Sequence, residues 1–311
     1  MSIVRSRIER QFQTSWGGSI AIYLFLGGMG AGAYFVAAVA SLLPGWEGVS
    51  QAALAFSWPT VIVGLLFLVS HLGKPFRSML AASRVGSSWI SRGVMFFSGL
   101  LVFALIQQFA GLEGTGLKAV AIIGSLFALF TMVYTGAMLA SAKGYPLWKS
   151  SILPVLFLIS GTLTGLFETI IAVQIMGVEV SAAQVNSMAI IAAGITAAEL
   201  LAVLFFVHGA YKNVDSMESA QKLIKSGSFV FGDLILGLAV PLVILLAVFF
   251  GGAGMGAVLV ASVLGIIGGF LLRKGILAAG MAQSLNASGF KFRPVAQVDF
   301  QVSEFGRLPP T

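Results

Sequence analysis

The chain has 311 residues, 58% of them hydrophobic and 9% charged. Soluble domains carry roughly 25% charged residues, so the composition excludes an ordinary soluble domain and points to an integral membrane protein. With no cysteine, the chain holds no disulfide, no cysteine-ligated zinc and no iron–sulfur cluster of its own.

A membrane span needs about 20 apolar residues. Eight stretches qualify, at about 17–43, 52–71, 90–110, 117–140, 151–176, 186–210, 230–250 and 252–273. They are too long and unalternating for barrel strands. The first fifteen residues are basic and polar and lack the pattern of a cleaved signal peptide. The last two spans meet at Gly251 and Gly252, which predicts a tight hairpin. The tail 275–311 is too polar to span, and its VAQVDFQV portion alternates weakly, as a surface hairpin or a disordered end would.

The connections carry a strong charge asymmetry. Seventeen of the eighteen basic residues fall on one side when alternate connections are assigned to alternate faces, leaving Lys118 with Glu47, Glu113 and Glu179 on the other. The positive-inside rule then places both termini in the cytoplasm. The net charge of +7 is therefore first a topology signal. No aromatic-interleaved basic patch suggests nucleic acid as a partner.

In the first span, Gly28 and Gly32 stand four apart in WGGSIAIYLFLGGMGAGAYFVAA. That spacing lets helices approach closely in lipid. The same glycines, with Gly27, also offer a flat wall for a planar ligand such as a quinone ring, with Trp16 and Tyr23 near it. A dinucleotide fingerprint is excluded, because that motif must follow a strand and open a helix.

The connection 71–92, HLGKPFRSMLAASRVGSSWISR, is the most polar segment between spans. It holds His71, Lys74, Arg77, Arg84 and Arg92. The cations serve as headgroup anchors or close over the mouth of a site; Arg77 and Arg92 adjoin apolar runs and suit the second role better. His71 caps its helix end, or bonds a quinone carbonyl and exchanges a proton near neutral pH. A haem held by His71 and His208 is a third option with no redundancy in ligands. Ser91 is a candidate N-cap for the third helix. Tyr134, about one turn from the same face, is an interface residue or a second wall of that site.

Three carboxylates interrupt later spans: Glu168, Glu199 and Asp233. Such groups are costly in lipid and are functional hypotheses by default. Counted at about 1.5 Å per residue, they form a staircase, with Asp233 nearest the basic face and Glu168 deepest. Either each is paired between helices, or together they form a proton path.

YLFLGGMGAGAYF, HLGKPFR with SSWISRG, YTGAMLASAKGYPLW and ILPVLFLISGTLTG together resemble the NrfD/PsrC family, the membrane subunits of polysulfide reductase and related respiratory complexes. The HLG-x-P segment also resembles the anchor subunit of dimethyl sulfoxide reductase, and its histidine stands where many family members have aspartate. The resemblance implies an all-α integral membrane fold of eight helices as two four-helix bundles, residues 1–150 and 151–274, followed by the tail 275–311. It implies a haem-free subunit of the inner membrane that exchanges electrons between membrane quinone or quinol, menaquinone foremost, and a ferredoxin-like iron–sulfur subunit of a molybdopterin enzyme. Carried over, the quinone-site positions are Tyr23, His71, Arg77 and Tyr134, to which the reading of the residues adds Trp16, Gly27, Gly28, Lys74 and Arg92. At that site, His71 bonds a carbonyl and Arg77 stabilises the reduced anion. Resembled complexes commonly dock their partners at this loop on the periplasmic side, whereas the charge count puts it in the cytoplasm; the charge asymmetry takes precedence. Two other classes remain: a proton-coupled transporter built on Glu168 and Glu199, and a passive anchor for soluble partners.

Overall fold

A computed structural model describes residues 18–71, 89–142, 144–252, 254–281, 285–287 and 290–292, with the backbone alone at His71 and in the last two segments. Trp16, Lys74, Arg77, Arg84 and the VAQVDFQV segment lie outside the described residues. The spanning elements are α1 (Gly18–Ala40), α2 (Glu47–His71), α3 (Trp89–Phe109), α4 (Gly114–Ala140), α5 (Ile152–Ile175) and α6 (Ala182–Lys212). A short α7 (Met217–Lys225) precedes α8 (Ser228–Gly251) and α9 (Met255–Met281). All but α7 are long and apolar enough to cross a membrane, giving eight spans among the described residues. Their order sets α1, α3, α5 and α8 running away from the basic face and α2, α4, α6 and α9 returning to it.

Two helices form the centre. In α1 and α5 the most apolar windows are 78% and 72% buried, against 28–39% in the other six spans. Glycine makes this possible. A Cβ on Gly32 would strike the Gly161 carbonyl, and one on Gly165 would strike the backbone of Gly32 and Ala33. The packing reading of Gly32 therefore holds, with Gly161 and Gly165 as its partner pair on α5. A second backbone-to-backbone contact joins Gly237 of α8 to Gly268 of α9.

The expected hairpin between the last spans is present. Gly252 takes φ 70°, the left-handed conformation that ends α8, and its N–H bonds Val248 O at 3.0 Å. At the far end of α5 and α6, Ser181 and Gln184 form a reciprocal capping box, and the Gln184 side chain also bonds Gly45 O at 2.9 Å. That bond ties the α5–α6 connection to the α1–α2 connection.

Three local expectations change. Ser91 does not cap α3; the helix begins at Trp89, and Ser91 is buried within its first turn. The last helix runs to Met281 rather than stopping near 273. Protein packing carries it past the apolar run: Trp148 in the α4–α5 connection is fully buried, stacks on Tyr145 at 4.2 Å, and donates to Ile276 O at 3.0 Å. Gly280 leaves room for the indole. The short antiparallel hairpin found after α9 pairs Leu285–Ala287 with Phe290–Phe292, upstream of the segment favoured from sequence. Trp148→Ala is expected to cost about 3–5 kcal/mol, and it should expose the α4–α5 connection to limited proteolysis in detergent.

The first half of α8, Ser228–Ala239, winds as a π-helix and changes to α-helix at Val240, next to Pro241. Wide helical turns of this kind are rare and often mark functional sites. Asp233 lies in this segment and is fully buried.

Candidate functional site

Tyr23 and Tyr134 come from α1 and α4, each five or six residues from the end at the basic face. The structure brings them together. Their hydroxyls interact, and the Tyr134 hydroxyl donates onward to Met138 Sδ at 3.2 Å. Phe97 of α3 stands beside both: its ring lies 5.7 Å from Tyr23 and 6.3 Å from Tyr134, perpendicular to the latter. All three rings are buried. Two glycines shape this corner. A Cβ on Gly27 would meet the Phe97 ring at 2.8 Å, and one on Gly93 would overlap the Tyr134 phenol.

The remaining expected members divide. Gly27 shares the face of Tyr23, whereas Gly28 points to the other side of α1 and touches the Arg273 guanidinium, 3.0 Å from a Cβ position. Arg92, in the first turn of α3, lies over the Trp89 ring at 4.7 Å. The backbone of His71 ends α2 at this same face.

Arg273 is the residue that sequence reasoning missed. By sequence it belongs to the basic tail, yet it is completely buried inside α9, and removing it leaves sixteen basic residues to define the basic face. The signal is present: an arginine adjoining an apolar run is a surface anchor only if the helix stops there, and ILAAGM continues it. Its Nη1 donates to Ser160 Oγ and to Gly269 O, both at 2.9 Å. The guanidinium lies over Phe25 at 5.5 Å and Phe157 at 5.3 Å. Glu199 of α6 and Asp233 of α8 both act on it electrostatically. Glu199 also faces the Ser160 hydroxyl.

Two of the three carboxylates thus share a cation, and the third does not. Glu199 and Asp233 gather around Arg273, because the Gly237–Gly268 contact aligns α8 and α9 and places Asp233 one turn along, beside Arg273. Glu168 stands apart, two turns beyond Ser160 on the same face of α5, where Thr60 of α2 donates to its Oε1. Its Oε2 has no protein partner. Thr60→Val would leave Glu168 without that donor, an expected loss of about 1–3 kcal/mol. Unfolding titrations in mixed micelles should show this, with Thr60→Ser near wild type.

At the opposite end lies a polar cavity of about 290 Å³, lined by Ser41, Glu47, Gln51, Gln107 and Gln108 among others. Tyr34 donates to Gln107 Oε1 at 2.9 Å in its wall. It offers amide and hydroxyl groups at the face where Lys118 is the sole basic residue.

Comparison with known proteins identifies the family of the chain. The family described as "Polysulphide reductase, NrfD" matches residues 7–284. The C subunit of the polysulfide reductase of Wolinella succinogenes is 27% identical over 306 residues, covering 88% of this protein and 96% of that one. An NrfD homolog of Haemophilus influenzae is 29% identical over 305 residues, covering 85% and 94%. The NrfD protein of Escherichia coli is 30% identical over 190 residues, covering 51% and 60%. Eight apolar helices around a glycine-packed centre and a family match across most of the length lead to one conclusion: the chain is a multi-pass membrane protein that belongs to the NrfD polysulphide reductase family.

Proposed function

We propose that the chain is the quinone-reactive membrane subunit of a multisubunit respiratory oxidoreductase. The observation that carries this reading is the meeting of Tyr23 and Tyr134 beside Phe97 at the basic face. Family membership supports a place in such a complex, as does similarity to a protein named as one subunit of polysulfide reductase. The residues fit a quinone. Each phenol has one O–H to give a carbonyl oxygen, that of Tyr134 by turning from Met138 Sδ, and Phe97 supplies an apolar ring face. When bound, the quinone supplies the two-electron, two-proton chemistry. The phenols orient it and hold a proton at their oxygens. This reading also keeps His71, Lys74, Arg77, Arg92 and Trp16 as quinone-binding residues, as the sequence suggests.

In this reading electrons pass to a ferredoxin-like iron–sulfur subunit, and from it to a molybdopterin subunit. The quinone is menaquinone, and no haem takes part. The protein resides in the inner membrane with both termini cytoplasmic, as the basic excess at that face supports. The chain divides into two four-helix bundles, 1–150 and one from 151 to the end of α9 at Met281. Glu168, Glu199 and Asp233 provide a proton route through the second half. A second reading, a proton-coupled transporter, draws on the buried charge cluster and the irregular winding of α8.

Gly93→Ala tests the site without removing any functional group. The added methyl displaces the Tyr134 phenol, and the KM for a quinol analogue should rise about tenfold, the equivalent of roughly 1.4 kcal/mol. Gly116→Ala, at a position with only a distant neighbour, is the control. Equal KM values in both variants would remove the tyrosine corner from quinol binding.

A further inference from the structure

We propose that Glu199, Asp233 and Arg273 form a buried site that holds one exchangeable proton, facing the quinone site across α1. This deepens the proposed proton route and rests on the quinone reading only for its link to the tyrosine corner.

The site is first a set of unpartnered atoms. Glu199 Oε1, both carboxylate oxygens of Asp233, and Nε and Nη2 of Arg273 are buried without a protein partner. Glu199 is 1% exposed, and Asp233 and Arg273 are 0% exposed. The cluster interacts through space, yet its members close no direct ion pair. Five buried polar atoms left unpartnered within one interacting cluster suit bridging water and a mobile proton better than a rigid salt bridge.

Charge balance then fixes the number of protons. Two carboxylates and one guanidinium carry one negative charge in excess when all are ionised. Burying an uncompensated charge is costly, and the group neutralises instead. One added proton makes the cluster neutral. Five helices pack around it. From α5 come the Ser160 hydroxyl and the Phe157 ring, and from α1 the Phe25 ring and the Gly28 backbone. From α6, α8 and α9 come Glu199, Asp233 and Arg273, and none of these helices brings a further charged group to the cluster. Arg273 is thus the sole cation facing the two acids among the described residues.

The geometry also gives the site a listener. Gly28 lets the guanidinium touch the backbone of α1, while the adjacent Gly27 faces Phe97 and Tyr23. A single helix backbone separates the cluster from the tyrosine corner. Charge gained or lost at the corner therefore acts on the cluster through a thin, water-poor layer. The π-wound stretch around Asp233 widens the helix where the proton must be exchanged.

Infrared difference spectroscopy of the purified complex reads the protonated carboxyl directly. Once the separate buried carboxyl of Glu168 is removed by Glu168→Gln, the protein should show one buried carboxyl C=O band that shifts in D₂O. In that background, Glu199→Gln and Asp233→Asn should each abolish or displace it. Arg273→Met should give about twice the band area, because both acids become neutral without the cation; Arg273→Lys keeps the charge and should leave the band unchanged. Absence of the band, or a band untouched by both acid variants, would overturn the site. So would a band that fails to shift in D₂O. A second arm adds a quinol analogue: the band area should change in the Glu168→Gln parent and stay fixed once Tyr134→Phe is added. A band insensitive to the analogue in that parent, despite analogue binding by fluorescence quenching, would overturn the link across α1. Loss of analogue binding itself would count against the quinone reading, while the first arm would still decide the proton site.

Discussion

Gly165→Leu is expected to leave no folded protein in the membrane. At this position α5 touches the backbone of Gly32 and Ala33 on α1, and the first side-chain carbon already has no room. A four-carbon side chain would force the two most buried helices apart, and six further spans pack around that pair or its neighbours. Overpacking a well-packed core costs up to about 3 kcal/mol in ordinary cases. This position exceeds those cases, because the opposing atoms are backbone and cannot change rotamer. Gly32→Leu should behave alike. Gly194→Leu and Gly209→Leu, where a Cβ meets nothing, should accumulate to wild-type levels. Yield of monodisperse protein after detergent extraction checks all four. Normal recovery of Gly165→Leu would mean that the α1–α5 contact does not organise the molecule.

Arg273→Met is the second large effect. It removes the cation from two buried carboxylates and the donor from Ser160 and Gly269. Breaking a buried charge arrangement by deleting one partner costs about 3–5 kcal/mol. Adding Glu199→Gln and Asp233→Asn to the same protein should recover most of that loss, because the carboxylate that the guanidinium kept ionised no longer has to take up a proton to stay buried. Unfolding titrations in mixed micelles measure both steps. If Arg273→Met alone matched wild type, the carboxylates would not depend on the guanidinium.

The sequence announces the spans clearly and the charge cluster poorly, for physical reasons. Lipid demands long apolar runs, so hydropathy locates eight helices and the Gly251–Gly252 hairpin. It also places Tyr23 and Tyr134 at one depth, because each lies a fixed number of residues from its helix end. Hydropathy says nothing about where protein packing extends a helix past its apolar run. The apolar ILAAGM hints that α9 runs on, but the polar Arg273–Lys274 step masks the hint, and the contact that holds these turns, with Trp148, leaves no local pattern. The same blindness turns Glu199 and Asp233 into separate steps. Their meeting depends on the Gly237–Gly268 contact, and no local pattern shows which helices touch. Gly28 and Gly32 share a spacing but not a partner: one rests against a guanidinium, the other against α5. Spacing sets the face of each, and packing sets the role.

The central claim is that quinone binds at the tyrosine corner near the basic face and not in the polar cavity at the opposite end. The most direct measurement is the affinity of the purified complex for a fluorescent quinol analogue. Wild type would be compared with Tyr23→Phe, Tyr134→Phe, His71→Ala and Gln107→Ala. Loss of one hydrogen bond of about 1 kcal/mol should weaken binding about fivefold in each phenol variant. His71→Ala should weaken it as well, and Gln107→Ala should leave it unchanged. Weakened binding in Gln107→Ala, with all three variants at the basic face unaffected, would contradict the account and move the site to the opposite face of the membrane.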